Sequence, residues 1–127
     1  MPFIKTRVFG TGREILTNFS HALPLSCMVQ DTNATADDNG VKFIKAGTPL
    51  GATGFKIRDR EKTVLSPATD ASQAVGIAMH DINVSDGVAR DTVIFRGDVV
   101  YSNMDTDVQA LFTDEMEKAL SPQITLV

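Results

Sequence analysis

Three short apolar runs, each tied to a glycine, limit what this chain can fold into: Val41-Lys-Phe-Ile-Lys-Ala-Gly-Thr-Pro-Leu-Gly51, Ala74-Val-Gly-Ile-Ala-Met-His-Asp81 and Thr92-Val-Ile-Phe-Arg-Gly-Asp-Val-Val-Tyr101. Runs of this length, bounded by Gly and Pro, are strand-sized rather than helix-sized. The first reads as a strand over 41–45 running into a Gly-Thr-Pro-Leu-Gly turn. There Gly47 permits a positive φ, and Pro49 holds Thr48 extended. The other two read as strands that pack with it. In the second, Val75, Ile77 and Met79 alternate against the small Gly76, Ala78 and His80 face. In the third, Val93, Phe95, Val99 and Tyr101 share a face, with Gly97 as a bulge.

The rest of the chain fits a β-rich domain. Leu25, Cys27 and Val29 alternate with Ser26, Met28 and Gln30 as a half-buried strand. Residues 31–40 are small, polar and acidic and close in Asn39-Gly40, which is turn chemistry. Thr63 to Leu65 forms a short strand stopped by Ser66-Pro67, and residues 81–90 form a loop with Asp86-Gly87 at its tip. Thr106-Asp-Val-Gln109 has the spacing of a capping box. Val108, Leu111, Phe112 and Met116 then repeat at helical spacing, predicting one helix that Pro122 ends near Leu120. Residues 123–127 read as a short terminal strand. The expected fold class is mainly β: a small barrel- or tulip-like domain with one or two short helices, the clearest near the C-terminus. The expected organisation is an N-terminal arm over 1–21 and a β-rich domain over 22–127.

Composition excludes several function classes. Seven Phe, one Tyr and no Trp leave the core mostly aliphatic, and a net charge of −4 gives no basic footprint for nucleic acid. The basic residues of Lys56-Ile-Arg-Asp-Arg60 and Lys62 are interleaved with Asp59 and Glu61, as in a solvated loop or a protected edge strand. No stretch approaches the ~20 apolar residues of a membrane span. One cysteine excludes an intrachain disulfide. The first residues lack a signal-peptide core, so the expectation is synthesis in the cytoplasm without Sec export.

The residues that could carry chemistry have simpler readings. Cys27 lies on an apolar strand face and reads as a small buried hydrophobe rather than a nucleophile served by His21 or His80. His80 and Asp81 are adjacent in a strand, so their side chains point to opposite faces and do not form a base–carboxylate pair. Asp31, Asp37, Asp38 and Asn39, or Asp81, Asn83, Ser85 and Asp86, could gather oxygens around calcium. The second set, however, places Thr92 where a helix–loop–helix site needs its Glu, and solvated turns are the default. No catalytic, cofactor or metal residues are assigned, and the expectation is that the chain is not an enzyme.

The order of features is familiar: Lys45-Ala-Gly-Thr-Pro-Leu-Gly51, then a charged segment, then Ala74-Val-Gly-Ile-Ala-Met-His-Asp81, then a Gly-centred strand and a short C-terminal helix. This progression resembles the head decoration (capsid-stabilising) proteins of tailed bacteriophages, the lambda-type family, over residues 22 to 120. The resemblance implies a homotrimer on the outer surface of the virion capsid. It would clamp neighbouring copies of the major capsid protein after shell expansion, with no direct contact to nucleic acid or membrane and no cofactor. It implies, too, that the N-terminal arm orders against the capsid. Here that role falls on Phe3, Ile4, Arg7, Val8 and Phe9. An arm with apolar residues of this kind is either tucked onto its own domain or waiting for a partner. Two other classes stand beside this reading: another phage virion subunit (tail tube or head–tail joining), and a small β-barrel ligand-binding module.

Overall fold

The computed structural model describes residues 14–32, 36–121 and 123–127, apart from the side chain of Phe19. The fold is mainly β, with two short α-helices near the C-terminus. In chain order the strands are β1 (Leu16–Thr17), β2 (Pro24–Val29), β3 (Phe43–Ile44), β4 (Pro49–Gly51), β5 (Ser66–Pro67), β6 (Ala74–Ala78), β7 (Ile82–Asn83), β8 (Ala89–Ile94), β9 (Gly97–Val99) and β10 (Ile124–Leu126). The helices α1 (Thr106–Gln109) and α2 (Asp114–Leu120) lie between β9 and β10.

Five strands form the central sheet in the order β2-β8-β6-β4-β5, every neighbouring pair antiparallel. The sheet does not end at β5. Leu65, immediately before that strand, bridges Val29 in parallel. The Leu65 amide donates to Met28 O at 2.9 Å, and the Gln30 amide donates to Leu65 O at 2.9 Å. The two rims of the sheet are thereby joined, and the five strands close into a small barrel. Closure satisfies backbone groups that an open sheet would leave exposed along its edges.

Where β6 and the end of β8 cross the sheet both faces are buried, whereas Pro24 and Ser26 of β2 and Arg90 of β8 are exposed. Cys27, Val29, Leu50, Leu65, Ala78, Val93 and Phe95 fill the barrel interior, joined by Ile44 and Ile82 of the small β3–β7 sheet and by Val84 just after it. Ile77 and Ile94, paired across β6 and β8, point the other way. They meet Ile15, Val99, Met104, Val108, Met116, Leu120 and Ile124 in a second core. That second layer is built from α1, α2 and a three-stranded sheet ordered β1-β9-β10, in which β10 runs parallel to β9. A strand sandwiched between two cores buries consecutive residues, as Ile77-Ala78 and Val93-Ile94 do at 0 % exposure. This is why the second and third runs read as nearly continuous apolar sequence.

Several expectations are met. Leu25, Cys27 and Val29 share the barrel face, Gly47 takes its positive φ (+94°), and residues 124–126 form the terminal strand. Others are corrected. The run 92–101 is not one strand, because the chain bends after Ile94 and Gly97 sits at φ +150°, a conformation L side chains rarely adopt. The bend sends β8 to the barrel and β9 to the outer sheet. Val93 and Phe95 therefore face one core, Val99 the other, and Tyr101 lies on the surface. In β6 the register against β4 shifts between Leu50↔Gly76 and Gly51↔Ala74, a bulge that turns Val75 to the barrel core, away from Ile77 and Met79.

The sequence marked Ser66-Pro67 as a stop, yet these residues are strand β5 itself; a proline fits because the strand is short and at a margin. Pro49-Leu-Gly51 is strand β4 rather than part of a turn, with Pro49 as its first residue, and the 81–90 loop contains β7. The expected single helix is two. Thr113 accepts a hydrogen bond from the Met116 amide at 3.2 Å and starts α2, which breaks the apolar stripe and leaves Leu111 44 % exposed. Thr106 is not a cap. The Gln109 side chain donates instead to Tyr101 O (3.0 Å) and Met104 O (3.2 Å) of the preceding 3-10 turn.

Leu65 both closes the barrel and fills it. Leu65→Ala is expected to cost about 2–5 kcal/mol, read from urea unfolding. A loss below 1 kcal/mol would show that closure is not sustained by this side chain.

Candidate interaction surface

The sequence proposes Phe3, Ile4, Arg7, Val8 and Phe9 as contacts; all five lie outside the described residues. The structure does place the root of that arm. Residues 14–21, assigned to the arm from sequence, are built into the body. Leu16 and Thr17 pair antiparallel with Val99 and Asp98, and Ile15 is fully buried. The Val100 amide donates to Ile15 O at 2.7 Å, and the Asn103 side chain donates to Glu14 O at 2.8 Å. On the other flank of β9, the Val127 amide donates to Val99 O and the Tyr101 amide to Val127 O. Both ends of the described chain therefore meet around Val99–Tyr101.

This junction carries exposed apolar surface, including Tyr101, which the sequence placed on one face with Val93, Phe95 and Val99. Tyr101 is 37 % exposed and Val127 59 %. The Tyr101 ring stands edge-on to Phe112 with centroids 6.3 Å apart, and its hydroxyl donates to Gln109 O at 3.2 Å. Phe112 is thus held partly inward, while its neighbour Leu111 stays in solvent. A periodicity argument could not find Leu111 and Tyr101 as surface residues, because each fits the pattern of a buried stripe and is exposed only through the helix break and the bend at Gly97. Apolar surface gathered in one place is the kind that marks contact with another surface.

The residues that could carry chemistry are dispersed. Cys27 is fully buried inside the barrel, where desolvation pushes its thiol up from the ordinary range. His80 Nδ1 lies 3.3 Å from Asp91 Oδ1, a carboxylate the sequence did not single out, while Asp81 accepts the Ala46 amide at 2.7 Å. His80 and Asp81 have different partners, as expected, but they lie in the bend between β6 and β7 rather than in a strand. His21 is exposed, and its carbonyl accepts from Arg96 at 3.3 Å.

The oxygens of the acidic loops are engaged with backbone. Asp37 accepts from the amides of Asn39 (2.8 Å) and Val41 (2.9 Å), Asn83 from Ser85 (2.9 Å), and Ser85 from Lys42 (2.8 Å). Among the described residues no three His, Cys, Asp or Glu side chains gather around a common point. A hollow of about 300 Å³, of mixed polar and apolar lining, lies over the stacked Phe55 and Phe95 rings, 5.7 Å apart, and no ionisable side chain lines it.

Two ion-pair groups pin loops to the body. Arg90 on β8 makes paired hydrogen bonds of 2.8 and 3.0 Å to Glu61, holding the carboxyl below its usual range and tying down the charged 56–62 loop. Lys45, just after β3, bonds Asp105 at 2.8 Å and Asp107 at 3.4 Å, fastening the start of α1. The Asp105 hydrogen bond is the main reason that Lys45 is raised above the ordinary lysine range.

Compared with known proteins, the chain matches no family model and no curated protein. Among the described residues no helix is long and apolar enough to cross a membrane.

Because the folded state holds the Lys45 proton more tightly than the unfolded chain does, the pair's stabilisation is complete below the ordinary lysine pKa of about 10.4. It is lost as pH rises through the raised folded value. Lys45→Met is expected to cost under about 1 kcal/mol at neutral pH, given how far solvent reaches this pair. The variant's deficit against the parent should vanish at the alkaline end. Equal pH profiles for the two proteins would show that the pair does not stabilise the fold.

A thiol-specific disulfide reagent is expected to leave Cys27 unmodified in the folded protein and to titrate it fully in denaturant. Prompt reaction under native conditions would contradict the barrel interior described above.

Proposed function

We propose that the protein is a structural component of a tailed-phage virion. It binds the outside of the expanded capsid as a homotrimer and stabilises the shell against internal pressure, and it is not an enzyme. The observation that supports this reading is the apolar surface of exposed Tyr101 and Val127, beside the β9 strand with which the first described strand, β1, pairs. The resemblance of residues 22 to 120 to lambda-type decoration proteins supports the same reading.

β1 gives the arm a route to a partner. It is an edge strand of the outer sheet, so the chain preceding it can continue as a strand and pair with one on the major capsid protein. Phe3, Ile4, Val8 and Phe9 would supply the apolar contacts and Arg7 a charged one. The mechanism is mechanical. A trimer that binds the assembled lattice but not its separated subunits stabilises the lattice by mass action. A net charge of −4 suits a position on the outer surface, away from the packaged DNA.

The test is sedimentation of the purified protein, alone and with expanded, undecorated shells. A trimer that co-sediments and raises the shells' thermal bursting temperature is the expected result. Phe3→Asp/Phe9→Asp should weaken shell binding by at least about tenfold, a loss of roughly 1.4 kcal/mol. A protein that ignores the shells would refute the reading, and one that closes into larger rings would indicate a tail-tube or head–tail joining subunit.

A further inference from the structure

Strand β10 is one margin of the outer sheet, and its pairing with β9 fixes what its other side presents. The Gly97 amide donates to Gln123 O at 2.9 Å, the Val127 amide to Val99 O at 2.8 Å and the Tyr101 amide to Val127 O at 3.0 Å. Alternate residues make the bonds of a parallel ladder, so Gln123, Thr125 and Val127 turn their backbone groups towards β9. The Ile124 carbonyl and both backbone groups of Leu126 therefore point the other way, and no described residue bonds to them. Ile124-Thr-Leu126 carries no charge and no proline, the usual devices that keep a strand margin from pairing.

A hollow of about 180 Å³ lies along this margin. Ile124, Thr125 and Leu126 all line it, although neighbouring side chains in a strand alternate in direction. The hollow thus follows the edge of β10 rather than lying under one face. Its far wall includes Phe112, Leu120 and Glu117. Phe112 and Leu120 form an apolar seat, while the exposed Glu117 carboxylate makes no ion pair with a described residue. Phe112 also meets the Tyr101 ring, so the hollow is continuous with the exposed surface of Tyr101 and Val127.

We infer that this margin binds an extended strand of a partner protein. The strand pairs along β10, seats an apolar side chain between Phe112 and Leu120, and sets a Lys or Arg on the same face against Glu117. The class of occupant follows from the backbone: outward donor and acceptor groups on one strand edge are answered in register by another extended chain. The hollow adds selectivity, because alternate side chains of an added strand fall on one face. β1 lies on the opposite margin of the sheet, so a strand at β10 leaves it free. The inference needs no shell and stands or falls separately from the capsid reading.

The probe is the capped peptide Thr-Lys-Thr-Leu-Thr-Val-Thr, whose Lys, Leu and Val share a face when extended. Titrated into the isotope-labelled full-length protein, it should shift the amide resonances of residues 124–127, Phe112 and Glu117 to saturation and slow exchange of the Leu126 amide. Leu126→Pro removes the outward N–H without touching the ladder to β9, and should lower the affinity at least about tenfold. Replacing the peptide's Lys by Glu should weaken binding to the parent protein and restore it in Glu117→Lys. Two further peptides carry N-methyl groups on alternate residues, one in each parity. One of them should lose binding, a result that does not depend on how the proline variant folds.

Failure to saturate would overturn the inference, as would shifts centred away from β10 or equal binding by both methylated peptides. A concentration-dependent dimer that protects the Leu126 amide without peptide would assign the margin to a second copy and overturn it too.

Discussion

The fold depends on the backbone contact between Val29 and Leu65. Without it the five central strands would be an open sheet with two unsatisfied rims. With it, the Met28 carbonyl, the Gln30 amide and both backbone groups of Leu65 are paired and the sheet encloses its own core. Strands of two to six residues make few ladder bonds each. Closure is what lets such short elements act together, because opening any seam exposes both the barrel interior and the rims.

From that closure follows the division of the molecule into two cores. The barrel wall has an inner face filled by Val29, Leu50, Leu65 and Val93, and an outer face bearing Ile77 and Ile94. The outer face has to be covered, and α1, α2 and the β1-β9-β10 sheet cover it. The covering layer is assembled from both ends of the chain, with β1 and β10 on either side of β9. As a result, the root of the N-terminal arm and the C-terminal Val127 lie side by side. The surface proposed for interaction is a consequence of how the second core is sealed.

The charge pattern serves the same division. Lys45 with Asp105, and Arg90 with Glu61, fasten loops onto the barrel at partly exposed positions where each pair adds little stability but limits where the loop can lie. The acidic excess of the chain lies in the described residues, whereas residues 1–13 hold three basic residues and no acidic one.

The sequence by itself determined the class of fold and the positions of most strands. Alternation in Leu25–Val29, the Gly47 turn and the apolar runs at 74–79 and 92–95 are local properties, and the backbone obeys local sterics and pleat period wherever the strand ends up. It determined the burial of Cys27 as well, since strand parity fixes the face it occupies; His21 lies in a 3-10 turn and His80 and Asp81 in the bend between β6 and β7, where parity has no hold. Tertiary structure alone decided which face of each run met which core. The bend at Gly97 sends Val93 and Val99 to different cores although they share parity, and the bulge at Val75 reverses one residue of β6. Thr113 divides a helix whose stripe looked continuous, and that break, with the bend, leaves Leu111 and Tyr101 exposed. These outcomes turn on pairings between residues far apart in the chain, such as Val29 with Leu65 and Leu16 with Val99. A periodicity read along one segment carries no information about its partner.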